Sequence, residues 1–248
     1  NIYYASPDLP KPFELKNSEM AFSPKQITLK DFDAKIGNSD MRMNGAVSNF
    51  LPYYFGKGVL EGKLNFTSNV FDANEYLTEE SENSEEASAD TALMTVFEVP
   101  SNIDFVLVSK IGKLAYTNMN ISNFNGNIQV KDQQLIFQNL SLSTLGSDMI
   151  MKGFYETKNV KKPTVDIDFV IKNLDIQEAF KTFNTVKKLA PAAEHVFGKF
   201  STTFKMKSDL TEHMQPIYAS LFANGVLEIP SAEIKEIAVI DKITEVIK

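Results

Sequence analysis

The chain of 248 residues contains no cysteine, no tryptophan and only two histidines. Without cysteine there is no disulfide, no thiolate metal site and no cysteine nucleophile, although oxidising and reducing compartments both stay open to it. The histidines, His195 and His213, stand alone. A zinc site would need Glu-x-x-His or His-x-x-x-His partners, so both read as ordinary loop or helix residues. There is no Gly-x-Ser-x-Gly elbow and no Gly-rich loop ahead of a helix, which removes the usual support for acyl-transfer and nucleotide chemistry. Basic residues are outnumbered, 25 Lys and Arg against 32 Asp and Glu. Binding phosphates takes clustered Lys and Arg, so nucleic acid is not an expected partner. No stretch approaches the roughly 18 consecutive apolar residues of a membrane-spanning helix. The chain opens Asn1-Ile2-Tyr3-Tyr4 with neither an initiator Met nor a signal segment. The expectation is a piece of a longer or processed protein, with any anchor upstream.

What the chain does have is a duplication. Gln26 to Gly45 read QITLKDFDAKIGNSDMRMNG, and Gln134 to Gly153 read QLIFQNLSLSTLGSDMIMKG. At a spacing of 108 residues, Ser39, Asp40, Met41, Met43 and Gly45 fall on Ser147, Asp148, Met149, Met151 and Gly153. Ile27, Leu29, Phe32 and Ala34 fall on Leu135, Phe137, Leu140 and Leu142. A strand unit used twice is the signature of an array that extends a sheet.

Around these copies the hydrophobic period is two. Ile27 and Leu29, then Phe32, Ala34 and Ile36, then Met41 and Met43, then Leu60, Leu64 and Phe66 alternate with polar residues. Ile103, Phe105 and Leu107, and Val165, Ile167, Phe169 and Ile171, do the same in the second half, as half-buried strands require. The apolar phase slips by one between Leu29 and Phe32 and again between Phe137 and Leu140, which predicts a bulge at Asp31 and at Asn139. Turn signals at Gly37-Asn38-Ser39, Gly56-Lys57-Gly58, Lys131-Asp132 and Leu145-Gly146-Ser147 predict antiparallel meandering. Asp175 predicts a helix N-cap, with Ile176, Ala179, Phe180, Phe183, Val186 and Leu189 as its apolar stripe before Pro191. Ile234, Ile237, Ile240, Ile243 and Ile247 predict a second, C-terminal helix. Thr78 to Asp90, TEESENSEEASAD, holds six acids and no base. That composition predicts a disordered linker, outside which the chain is close to neutral; Asp90-Thr91-Ala92 at its edge matches a short bacterial O-glycosylation acceptor.

The expected fold is therefore mainly β, of antiparallel, curved, repeated strands forming a groove or an open sandwich. One helix is expected near 175–190 and one at the C-terminus. Residues 1–77 form a first β repeat and 78–98 the acidic linker. Residues 99–197 form a second repeat with its helix, and 198–248 the C-terminal strands and helix. The best carboxylate pair, Asp166 and Asp168 in VDIDF, lies on one side of a strand whose other side is apolar; it is the leading candidate for an enzymatic site, ahead of Asp33 and Asp40, and it also reads as a solvated strand face. The pairs Met41/Met43 and Met149/Met151 are soft, adaptable side chains on one sheet face. They fit either a plain core or a lining for variable acyl chains.

From Phe13 to Asn69, and again from Leu114 to Phe180, one order of elements recurs. A strand such as Phe137-Gln138-Asn139-Leu140 is followed by Gly146-Ser147-Asp148, the pair Met149 and Met151, Gly153 and a further strand. This order resembles the C-terminal region of AsmA-family proteins, the TamB and YhdP type of bacterial envelope protein, over most of the chain from about Phe13 to Ile229. The resemblance implies a periplasmic body of β-strands curled into a groove, anchored in the inner membrane through a segment outside this chain. It implies a part in outer-membrane biogenesis by binding or passing phospholipid acyl chains, in contact with other envelope proteins, with no enzyme activity and no cofactor. The lining candidates are then Met41, Met43, Leu64, Phe66, Met149, Met151, Ile167 and Phe169. The alternative is a structural module that docks a partner by strand addition.

Overall fold

A computed structural model describes residues 2–5, 11–76, 96–116, 119–183, 186–187 and 190–235. The acidic run Thr78 to Asp90, the Asp90-Thr91-Ala92 triplet, Leu189 and residues 236–248 lie outside the described residues.

The first unit comprises β1 (Ile2–Tyr4), β2 (Phe13–Phe22), β3 (Gln26–Ile36), β4 (Ser39–Ser48), a short helix α1 (Phe50–Tyr54) and β5 (Leu60–Asp72). The second comprises β6 (Ile103–Tyr116), β7 (Met119–Lys131), β8 (Gln134–Thr144), β9 (Ser147–Glu156) and β10 (Thr164–Asp175). Then come α2 (Ile176–Thr182), β11 (Val196–Asp209), β12 (Phe222–Glu228) and β13 (Ala232–Ile234). The strands form one open, curved sheet in the order β1 to β12, with β13 pairing beside β11. It does not close on itself, so its two edges never meet.

The duplication is visible strand by strand, β3 matching β8 and β4 matching β9. The register between β3 and β4 slips between Leu29 and Phe32, and that between β8 and β9 slips between Phe137 and Leu140. These are the two places where the hydrophobic phase slips, and Asn139 sits there at φ 50°. An extra residue on one strand leaves the next side chain on the original face, so each strand bends without turning its apolar side to water.

The expectation of uniform antiparallel pairing fails at one place. β5 and β6 run parallel, from Leu60 beside Ile103 to Asp72 beside Ala115. A parallel pair needs a crossover of a dozen or more residues, and the stretch holding the acidic run is long enough to carry the chain back to the same end. The two units thereby join edge to edge in one sheet. Of the expected C-terminal helix the described residues include only Ile234 and Lys235, and Ala232–Ile234 pairs as a strand with Val196–Gly198. Three residues of extended backbone beside an open strand edge satisfy their donors by pairing, and the isoleucine spacing does not register that edge.

α2 forms where expected. Asp175 Oδ1 accepts from the amides of Gln177 (2.9 Å) and Glu178 (3.0 Å), satisfying the first free donors of the helix. α2 stops at Thr182, with Phe183 in extended conformation, and Val186 and Lys187 are helical again, so the apolar stripe is divided between two helical segments.

Candidate functional site

Residues directly opposite one another in a register share a face of the sheet. One such row runs from β2 to β12 without a break: Met20, Leu29, Gly45, Leu64, Leu107, Ile128, Phe137, Gly153, Ile167, Met206 and Ala223. Every member is apolar or glycine. The neighbouring row repeats the character, with Phe32, Met43 and Phe66 paired across β3 to β5 and Leu140, Met151, Phe169 and Phe204 across β8 to β11. The duplicated units therefore present a single apolar face that crosses the parallel junction at Leu64 and Leu107.

All eight lining candidates lie on this face. Met41 pairs with Ala34, Met43 with Phe66, Met149 with Ile171, and Met151 with Phe169. Each of the eight is half-buried. Sequence reasoning did not single out Met20, Ile128 or Met206 as lining residues. For Ile128 the obstacle is a second pair of register shifts in β7, at Ser122–Asn125 and Asn125–Asn127, which breaks the alternation that would have marked it.

The face is covered only in part. Among the described residues one cluster of buried apolar side chains lies at one end of the second unit, where Val99, Tyr155, Val165 and Leu210 pack with Met214. Val99 is pinned there by its amide, which donates to Thr157 Oγ1 at 2.8 Å, and burial pushes the Tyr155 hydroxyl above its ordinary pKa. At the opposite end α2 packs on β10 and β11, burying Leu174, Ile176 and Ala179. Gln177 Nε2 donates to the carbonyls of Ala193, Glu194 and Val196 and fixes the helix to the start of β11. Between these ends most members of the apolar rows lie half-buried, with Ala34, Ile111 and Leu140 buried among them.

The conserved-in-duplicate Ser-Asp pair is structural. Ser39, fully buried, donates to Glu75 Oε2 (2.9 Å) and accepts from the Asp72 amide (3.0 Å). Its counterpart Ser147 donates to the Lys172 carbonyl at 2.8 Å. Asp40 accepts from the amides of Val70 (2.7 Å) and Asn69 (2.9 Å) and from the Ser68 hydroxyl. A carboxylate here takes the place of a strand carbonyl beyond the last β4–β5 pair, Arg42 with Thr67.

The other face is wet and laced with charge. Asp168 lies between Lys205 (3.1 Å) and Lys152 (3.4 Å), and Asp166 lies 3.8 Å from Lys207. Asp33 meets Arg42 at 3.3 Å, and Lys131 meets Asp104. Lys205, then Lys152, hold the Asp168 carboxyl below its usual range. A general acid needs the opposite shift, so the Asp166/Asp168 pair has the surroundings of a cross-strand charge ladder. Among the described residues no three His, Asp or Glu side chains are grouped to hold a metal, and no helix is long and apolar enough to cross a membrane.

Among the described residues five carboxylates sit below their ordinary pKa. Burial alone would raise that of Asp40, and the Val70 and Asn69 amides outweigh it. Hydrogen bonds from Lys131 lower Asp104, from Lys158 lower Glu156, from Lys205 lower Asp168 and from Lys162 lower Asp209. A group lowered in the folded state stabilises the fold above its unfolded pKa, about 4 for Asp and Glu. That stabilisation disappears as pH falls through the folded value. The urea midpoint is expected to be unchanged between pH 8 and pH 6 and to fall steadily below about pH 4. An equal midpoint at pH 7 and pH 3 would remove these pairs from the account of stability.

Compared with known proteins, the chain matches no family model and no curated protein.

Proposed function

We propose that this chain is a lipid-handling section of an AsmA-like envelope protein, whose apolar sheet face holds phospholipid acyl chains while the headgroups stay in water. The observation that carries the reading is the unbroken apolar row from Met20 to Ala223, half-buried over its middle and continuous across both units. A soluble protein rarely leaves an apolar surface of that extent without an occupant. Methionine on such a face adapts to chains of different length and unsaturation. In this reading the protein works in the periplasm, anchored to the inner membrane through a segment outside this chain. It contributes to outer-membrane biogenesis by passing phospholipid, without catalysis and without a cofactor.

Native mass spectrometry of the purified chain tests the reading directly. The expected spectrum shows bound phospholipid that organic extraction removes. A spectrum of lipid-free protein, unchanged after incubation with phospholipid micelles, would count decisively against it.

A second reading, docking by strand addition, is favoured by one observation. β12 is exposed along its whole length and pairs only with β11 among the described residues. Phe222, Val226 and Leu227 are exposed on this edge strand, and an edge of that kind is a template for another strand. Protein partners recovered with lipid-free chain would favour this reading over the first.

A further inference from the structure

We propose that the tips of the β2–β3 hairpin and of the β4–β5 connection together form a docking site for the surface of a phospholipid bilayer that carries anionic lipid. The pairings Phe22 with Ile27, Gln26 with Ser48 and Ser48 with Glu61 place both connections at the same end of the sheet. The Asn49 amide donates to the Lys25 carbonyl at 3.4 Å and ties one tip to the other. The outermost side chains there are aromatic: Phe22 is 69% exposed, Tyr54 80% and Phe55 68%. The rings of Tyr54 and Phe55 meet edge to face at 5.3 Å, so they project as one unit. Leu51, also exposed, extends the patch.

Charge points the same way. From Met20 to Ile27, and from Asn49 to Leu60, there is no carboxylate, and each segment holds one lysine, Lys25 and Lys57. Each tip therefore carries one positive charge, and the nearest carboxylates, Glu19 and Glu61, lie in the flanking strands. Aromatic rings with an apolar body prefer the boundary between acyl chains and headgroups, while lysine reaches outward to anionic headgroups. A protein interface surrounds its aromatic core with a polar rim whose groups pair across it, whereas these tips offer exposed rings with one lysine each.

The position ties the tips to the apolar face. Phe22 opposes Ile27, which opposes Val47, so the face runs out to these connections through one row. At the same end of the second unit Val99, Leu210 and Met214 close it off. Docking the first unit would bring the uncovered end of the face against a membrane. This inference rests on the acyl-chain reading for its purpose, and its evidence and test stand apart from that reading.

The test is co-sedimentation of the full chain with vesicles of phosphatidylcholine alone and of an equimolar mixture with phosphatidylglycerol. Binding to the mixed vesicles is expected, with weaker binding to phosphatidylcholine. Tyr54→Ser with Phe55→Ser is expected to reduce binding about tenfold or more, a change of roughly 1.4 kcal/mol. Because both side chains are exposed, the double variant should melt like the parent. It should also keep its co-purified lipid. Absence of binding to either vesicle, or equal binding by the double variant, overturns the inference, and the acyl-chain reading survives if bound lipid is still found. Vesicle binding by a protein that never carries lipid keeps the docking site and sinks that reading. If the double substitution abolishes self-association by the parent chain while vesicle binding is nil, the patch is an interface between copies.

Discussion

Gly153→Ala is expected to lower the melting temperature by roughly 10 °C, and Gly45→Ala by a similar amount, on the scale of 2–4 °C per kcal/mol for a chain of this size. Both glycines have a φ that L side chains rarely adopt, 136° at Gly153 and 149° at Gly45. Strain alone would cost about 1–3 kcal/mol. Crowding adds to it. A Cβ at Gly153 would run into the Asp166 carbonyl oxygen and lie 2.8 Å from Ile167 Cα, and one at Gly45 would run into the Lys63 carbonyl oxygen and lie 2.9 Å from Leu64 Cα. These obstacles are backbone of the neighbouring strand, which cannot move aside without parting the sheet. Gly146 is the control, since its φ is 70° but a Cβ there meets nothing within 4 Å. Gly146→Ala should cost only about 1–2 kcal/mol, a shift of a few degrees. Thermal melts followed by circular dichroism separate the two components. Equal losses at all three positions would show that close approach contributes nothing.

The same two glycines explain why the duplicated motif ends as it does. Each stands across the sheet from the residue just before a bulge, Leu29 for Gly45 and Phe137 for Gly153. The bulge bends one strand, and the missing side chain on the next lets the following strand come close behind it. Both halves of that device were legible in the sequence, the bulge as a slip in the hydrophobic phase and the glycine as a repeated letter. Their meaning as one device needed the registers.

Other parts were not legible, for physical reasons that differ. Period two says that a strand has one apolar side, yet it says nothing about what lies against that side. A sandwich core and an open groove have the same alternation. The parallel pairing of β5 with β6 was hidden because strand direction is set by the long connection, which carries no periodic signal. β7 was hidden by its own irregularity, with Asn123 at φ 55° and two register shifts between Ser122 and Asn127. The aromatic tips were present as Phe50-Leu51-Pro52-Tyr53-Tyr54-Phe55, but only exposure separates a protruding aromatic run from a buried one. The Asp166/Asp168 pair was legible as a wet strand face, and the lysines that occupy it come from β9 and β11, which no local spacing could connect.

Replacing methionine on the apolar face by a larger apolar side chain distinguishes a groove from a core more sharply than a polar substitution. A charge at Met43 or Met151 would damage either one. Met43→Trp and Met151→Trp act differently in the two cases. In a close-packed interior, added bulk forces off-rotamer side chains and backbone shifts and costs about 1–3 kcal/mol, which is roughly 2–12 °C for a chain of this size. On this face Met43 and Met151 are half-buried beside Phe66 and Phe169, so an indole can lie along the sheet and cover its neighbours. The double variant is therefore expected to melt within about 2 °C of the parent, since it adds apolar contact without creating strain. Its bound phospholipid, counted by native mass spectrometry, is expected to fall by half or more, because the ring occupies the surface the acyl chain would use. Tryptophan is absent from the parent, so the introduced rings also report on their own surroundings: removing lipid from the variant should shift their emission to the red as water reaches them. A large loss of stability with no change in bound lipid would place Met43 and Met151 inside a closed core and leave the sheet without the groove on which the acyl-chain reading depends.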